Sequence, residues 1–143
     1  MTPWTLTQSM PRLGERLGID LHVIRDDLYP AHGGGNKARK VAFILAAEEN
    51  VAVDALVTVG GTQSNQARVV ALEAAARGWP CELILHGDPE DLANPMGNLK
   101  LMAMSGAHIS IVPVDQVGDR VEAVIQRFQD QGRTPLEVPG GHP

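Results

Sequence analysis

The sequence predicts an α/β fold of three layers, with helices on both faces of a mostly parallel sheet. Short β-branched runs alternate with segments of helical apolar spacing, which is the pattern of βαβ units. One run, Ala55-Leu56-Val57-Thr58-Val59, is almost wholly apolar, as a strand covered on both faces must be. The chain has 143 residues, 43% of them hydrophobic, enough for one core-burying domain.

The elements follow in order. Leu21 to Arg25 reads as a first strand, and a polar, glycine-rich stretch runs from Asp26 through Gly35. Asn36 is a candidate cap for a helix reaching about Asn50, with Val41, Ile44, Leu45 and Glu48 at helical spacing. The strand Ala55 to Val59 runs into Gly60-Gly61-Thr62-Gln63. A helix then begins near Ser64, with Ala67, Val70, Ala71 and Ala74 on its apolar face and Gly78 as its stop. Glu82 to Leu85 makes a third strand, and Met96 to Gly106 a helix with Leu99, Met102 and Ala103 inward. His108 to Val112 is a fourth strand. Val117 to Gln129 is an amphipathic helix aligning Val121, Val124, Ile125 and Phe128. Leu136 to Val138 is a last strand, followed only by Pro139-Gly140-Gly141-His142-Pro143, where a ligand-binding loop is expected in a parallel sheet.

Composition excludes several classes of function. Hydrophobic content is ordinary and the net charge of −5 is modest, so disorder is not expected. No basic run offers a surface to nucleic acid. A single cysteine, Cys81, excludes an intrachain disulfide and a cysteine-rich zinc site, and no histidine spacing suggests another metal. No apolar run approaches the ~20 residues of a membrane span. Met1 to Asp20 lacks the pattern of a signal peptide, so a cytoplasmic location is expected.

Two segments could carry chemistry. In Gly33-Gly34-Gly35-Asn36-Lys37-Ala38-Arg39-Lys40 lie two of the only three lysines, one helical turn apart. A cation at a helix amino end opposes the macrodipole, and burial and a second cation push the same way, toward the neutral amine that Schiff-base chemistry needs. The plainer reading is a loop followed by two solvated lysines. In Val59-Gly60-Gly61-Thr62-Gln63-Ser64-Asn65-Gln66, strand, paired glycines and helix start form a cradle for a carboxylate or phosphate. The plainer reading there is an ordinary strand-to-helix turn capped by Ser64. Neither segment is a Walker A loop or a dinucleotide fingerprint. His22 and His86 read as structural histidines, Cys81 as a small core residue, and Arg25-Asp26-Asp27 as an ion pair at a strand end.

Together these residues resemble the amino-terminal part of the pyridoxal-phosphate enzymes typified by 1-aminocyclopropane-1-carboxylate deaminase and D-cysteine desulfhydrase. The resemblance runs through Pro11-Arg12-Leu13, Arg25-Asp26-Asp27, Gly34-Gly35-Asn36-Lys37 with Arg39-Lys40, and Thr58-Val59-Gly60. It continues through Gln63-Ser64-Asn65-Gln66 with Arg68, Gly97-Asn98-Leu99, Gly106-Ala107 and Val138-Pro139-Gly140-Gly141. It implies a Rossmann-like sheet, incomplete relative to the two-domain fold type II (tryptophan synthase β-like). Residues 1–50 would belong to the larger domain of that fold and 51–143 would form a small parallel α/β domain. The implied cofactor is pyridoxal 5′-phosphate. The resemblance makes Lys37 and Ser64 catalytic, with Lys37 carrying the cofactor and shuttling the substrate's α-proton. Lys40 would lie near the cofactor phosphate and Asn65 at the ring hydroxyl oxygen. Ser64, Asn65 and Gln66 would hold the substrate, a small amino acid.

The match covers only the first part of the family's length, and the triple glycine departs slightly from its pattern. The resemblance therefore implies a site completed by a complementary polypeptide carrying the carboxyl-terminal half, a homo-oligomer, or a truncated fragment. The alternative is a non-catalytic α/β binding or assembly module derived from the same family.

Overall fold

A computed structural model of the chain describes residues 6–47 and 52–140. Its main sheet has four parallel strands: β3 (Ala55–Gly61), β4 (Cys81–His86), β5 (His108–Ile111) and β6 (Pro135–Val138), in the order β5-β4-β3-β6. Chain order therefore runs outward from β3 to β5 and then returns to β6 on the other side of β3. Reversal at β3 makes the gap between β3 and β6 a topological switch point, where ligands of such sheets bind.

Alternation along the central strands splits the core in two. Leu56, Leu83 and Leu85 face one side, where α3 (Asn65–Arg77) lies on β3 and β4 between α2 (Asn36–Ala47) and α4 (Gly97–Met104). Ala55, Val57 and Ile84 face the other side and meet Val121, Val124 and Phe128 of α5 (Val117–Asp130). The three expected layers are present. Every side chain from Ala55 to Thr58 is buried, as a strand covered on both faces requires.

The helix limits follow local chemistry. Ser64 caps α3, its Oγ accepting from the Ala67 N–H at 3.1 Å, and Gly78 ends it in the left-handed conformation. Ala38, Val41 and Leu45 of α2 are buried together with α3 residues. Ala103 was expected inward, but it is exposed: the short α4 reaches the core only through Leu99 and Met102, and Ala103 rotates past that stripe. Glu48, Asn50, His142 and the expected domain division between residues 50 and 51 lie outside the described residues.

The first expected strand departs most from the sequence reading. It exists as β2 (His22–Ile24), but it stands apart from the parallel sheet. It pairs antiparallel with β1 (Thr7–Ser9), and α1 (Pro11–Leu17) fills the connection. Neither β1 nor α1 was expected, although Pro11 at the start and Gly18 at the end are ordinary helix signals. Every residue of both strands is exposed, so the apolar pattern that marks the core strands is missing here.

Candidate functional site

The carboxyl ends of β3, β4 and β6 surround a cleft of about 520 Å³, lined by Val59, Gly60, Gly61, Gln63, Ser64, His86, Val114, Val117 and Gly140. It occupies the end of the sheet that the strand order marks as a ligand site. Gly60 is required there by close approach, since a Cβ would stand 2.7 Å from both Cβ and Oγ of Ser64. The glycine pair lets the first turn of α3 sit directly over the strand end. The first N–H groups of a helix have no intrahelical partner, and Ser64 satisfies only that of Ala67. The cradle is thus suited to an anionic oxygen.

The expected site residues divide into four groups. Ser64 lines the cleft. Lys40 and Gln66 fasten its rim: Lys40 Nζ donates to Gln66 Oε1 at 2.9 Å and to the Pro139 carbonyl at 2.9 Å, beside the cleft residue Gly140. The Gln66 amide donates to the same Pro139 carbonyl, and Thr58 Oγ1 donates to the Val138 carbonyl at 2.7 Å. Gln66 is only 2% exposed, so its amide is committed to the chain leaving β6. Asn65 is exposed and turned to α4, its Oδ1 accepting from Asn98 Nδ2 at 2.9 Å.

Lys37, one turn before Lys40 on α2, is half-buried and makes no hydrogen bond or ion pair among the described residues. Lys40 is pushed toward its neutral form, by burial first and then by the charge of Lys37.

The glycine-rich segment before Lys37 is anchored at several points. Gly33, Gly34 and Gly35 all have positive φ, and at Gly34 a Cβ would stand 2.5 Å from the Asp27 carbonyl. The Gly35 N–H donates to the Asp26 carbonyl at 2.6 Å, folding the loop onto the turn Asp26–Leu28. Arg39 from α2 donates to Asp26 at 2.6 Å and stacks 5.0 Å from the Tyr29 ring centroid. His32 pairs with Glu73 of α3, which also receives Arg77 Nε at 2.7 Å. Burial pushes the Glu73 carboxyl up, but these partners outweigh it and hold it below the usual range. The triple glycine thus makes a tight turn that fixes the entry to α2 and with it the start of the lysine helix.

Two other candidates, the Arg25-Asp27 pair and Cys81, behave as the plainer readings have them. Arg25 and Asp27 form an exposed pair at 2.6 Å, and that bond lowers the Asp27 pKa. Cys81 is buried, its thiol pushed up to about 12 by burial and then by the adjacent Glu82 charge. His86 differs, because it lines the cleft and its ring faces Gly61. Its place at the carboxyl end of a parallel strand was the signal that could have marked it. A larger open hollow of about 670 Å³ lies along β5 and α5 at Ser110, Gln116, Asp119 and Arg120, away from every expected site residue.

Comparison with known proteins bears on the family and the fold of the chain. The family described as "Pyridoxal-phosphate dependent enzyme" matches residues 2–142. The chain is 34% identical over 148 residues to 1-aminocyclopropane-1-carboxylate deaminase of Burkholderia multivorans (strain ATCC 17616 / 249), covering 96% of this chain and 43% of that protein. It is 31% identical over 141 residues to D-cysteine desulfhydrase of Salmonella paratyphi B (strain ATCC BAA-1250 / SPB7), with the same coverage of 96% and 43%. Among solved structures, an ACC deaminase homologue superposes with a TM-score of 0.78 at 30% identity, over 96% of this chain and 42% of its own. The chain spans less than half the length of the curated relatives it matches.

Proposed function

We propose, from the premise that this chain belongs to the pyridoxal-phosphate dependent enzyme family, that it is the amino-terminal portion or subunit of a lyase or deaminase acting on a small amino acid. The closest chemistry on offer is that named for its relatives, 1-aminocyclopropane-1-carboxylate deamination or D-cysteine desulfhydration. The observation that carries this reading is the cleft at the switch point of the sheet, with Ser64 over the glycine pair and Lys40 at its rim. Lys37, half-buried and without a hydrogen bond or ion pair among the described residues, supports it as well.

The residues present fit part of a pyridoxal-phosphate site. Lys37 has an amine with no hydrogen bond or ion pair among the described residues, able to bond covalently to an aldehyde and afterwards to hold or release a proton. Lys40 adds a positive field near the strand ends, and Asn65 has amide donors for a ring oxygen. Ser64 and the first N–H groups of α3 suit a substrate carboxylate. Gln66, buried under the rim, serves that site by holding the chain after β6 in place. When bound, the cofactor acts as an electron sink for the substrate's α-carbon, while the protein selects the bond that breaks. The rest of the envelope would come from a complementary polypeptide corresponding to the part of the relatives that this chain does not match.

The test is to incubate the chain, alone and co-expressed with such a polypeptide, with pyridoxal phosphate, reduce with borohydride and map the adduct by mass spectrometry. The expected result is a single pyridoxyl modification on Lys37, absent in Lys37→Ala. Modification of Lys40 or Lys100 instead, or none in either preparation, overturns the reading. Ammonia release set against sulfide release then separates the two substrate classes.

A further inference from the structure

We propose that Asn98 is a positioning residue: it locks the Asn65 side-chain amide in the orientation that presents its NH2 group, so that the site accepts only a hydrogen-bond acceptor at that point. This inference rests on the proposed cofactor site for its consequence, but its geometry stands on its own.

Asn65 opens α3 and Asn98 lies in the first turn of the neighbouring α4. Asn98 Nδ2 lies 2.9 Å from the Gln63 backbone carbonyl and 2.9 Å from Asn65 Oδ1. The Asn98 backbone N–H donates to Gln63 Oε1 at 3.0 Å, and Gln63 Nε2 donates to the Met96 carbonyl at 3.2 Å. These bonds determine one another. A backbone carbonyl only accepts, so the Asn98 amide end facing it has to be the NH2 group. The Asn65 atom touching that same nitrogen then has to be the oxygen. What remains of the Asn65 amide is its NH2, two donors that meet no acceptor among the described residues.

An exposed asparagine without such a neighbour can turn its amide over at little cost and offer either atom. Here the alternative would bring two NH2 groups face to face. In the proposed site Asn65, next in the chain to the cleft residue Ser64, would meet the ring oxygen of the cofactor. A fixed donor stabilises that oxygen in its deprotonated form, since hydrogen bonds to the charged form favour it. Asn98 would thereby act on the cofactor without touching it.

Two measurements test this. In the isotopically labelled full chain without cofactor, side-chain amide exchange is expected to be slow at Asn98 and fast at Asn65; equal rates, or the reverse order, overturn the proposal. In the assembly that binds pyridoxal phosphate, Asn98→Asp replaces donors by acceptors and should turn the Asn65 amide over. It is expected to weaken cofactor binding about ten- to a hundredfold and to raise the pH at which the visible spectrum titrates. Asn65→Ala should weaken binding similarly, and Asn98→Asp should add nothing in the Asn65→Ala background. Additive losses, or an unchanged spectral titration in Asn98→Asp, mean that Asn98 only ties loops together. A wild type that binds no pyridoxal phosphate overturns the functional reading, and the exchange order then decides the orientation of Asn65 by itself.

Discussion

Glu82 sits between Cys81 and Leu83 in the buried run of β4, with no exposed surface, and four side chains reach it. Arg127 donates at 2.7 Å, His108 lies at 2.9 Å, Ser110 donates at 3.0 Å and Arg120 at 3.3 Å. Burial raises the carboxyl pKa, but the bonds from Arg127, His108 and Ser110 outweigh it and hold it below its ordinary value of 4.5. The native carboxylate therefore binds its proton less readily than the unfolded one, and unfolding at low pH takes up a proton. This contribution is complete above the ordinary value and is lost as pH falls through the native one. Glu82→Gln should lower the urea midpoint at neutral pH by the equivalent of about 3 kcal/mol, the low end for a broken buried pair, because the two arginines stay partly exposed. It should also flatten the loss of stability on acidification, read from unfolding curves across the acid range. At this scale the sequence was partly legible. Ser64 could be read as a cap from its place before an apolar periodic run. Glu82 could not, because its partners on β5 and α5 lie 26 to 45 positions away.

Helix α2 shows the same division one level up. Its periodic stripe was readable, and Val41 and Leu45 are buried as that spacing requires. Phe43, between them in sequence, points outward and is 75% exposed. Leu45→Ala is expected to cost about 2–5 kcal/mol of stability, whereas Phe43→Ser should change it by no more than about 0.5 kcal/mol, both read from denaturant midpoints. If Phe43→Ser destabilised as strongly as Leu45→Ala, the assignment of buried and outward faces on α2 would be wrong. The strand β2 shows where periodicity runs out. A short β-branched run states that a strand forms, not which sheet it joins. Here its partner is β1, three residues long and lacking any apolar alternation, with the Arg25 N–H donating to the Leu6 carbonyl at 2.8 Å.

In the molecule as a whole, residues 6–28 form a unit with little core of its own. Leu13, Leu17, Ile19, Ile24 and Leu28 are all well exposed, and Gly14 is the only buried residue of α1. Regions with few buried contacts open at the lowest free energy. Hydrogen exchange of the isolated chain should therefore show the least protection in β1, α1 and β2 and the greatest in β3 and β4. Comparable protection in the two regions would mean that the unit is held by contacts other than those described. Among the described residues, no helix is long and apolar enough to cross a membrane.

What the sequence determined by itself is local: the alternation of strands and helices, their caps, the glycine turns, and the ordered motifs that mark the family. Each of these depends on residues within a few positions of one another, where backbone preference and side-chain spacing act directly. The tertiary structure alone decided the strand order and its switch point at β3. It also sent β2 into a separate sheet, paired Glu82 across α5, and turned Asn65 toward Asn98. The same holds for Lys40 and Gln66, which meet the chain after β6 from 99 and 73 positions away. Such contacts form only when packing brings remote segments together, and no local preference of either partner encodes them.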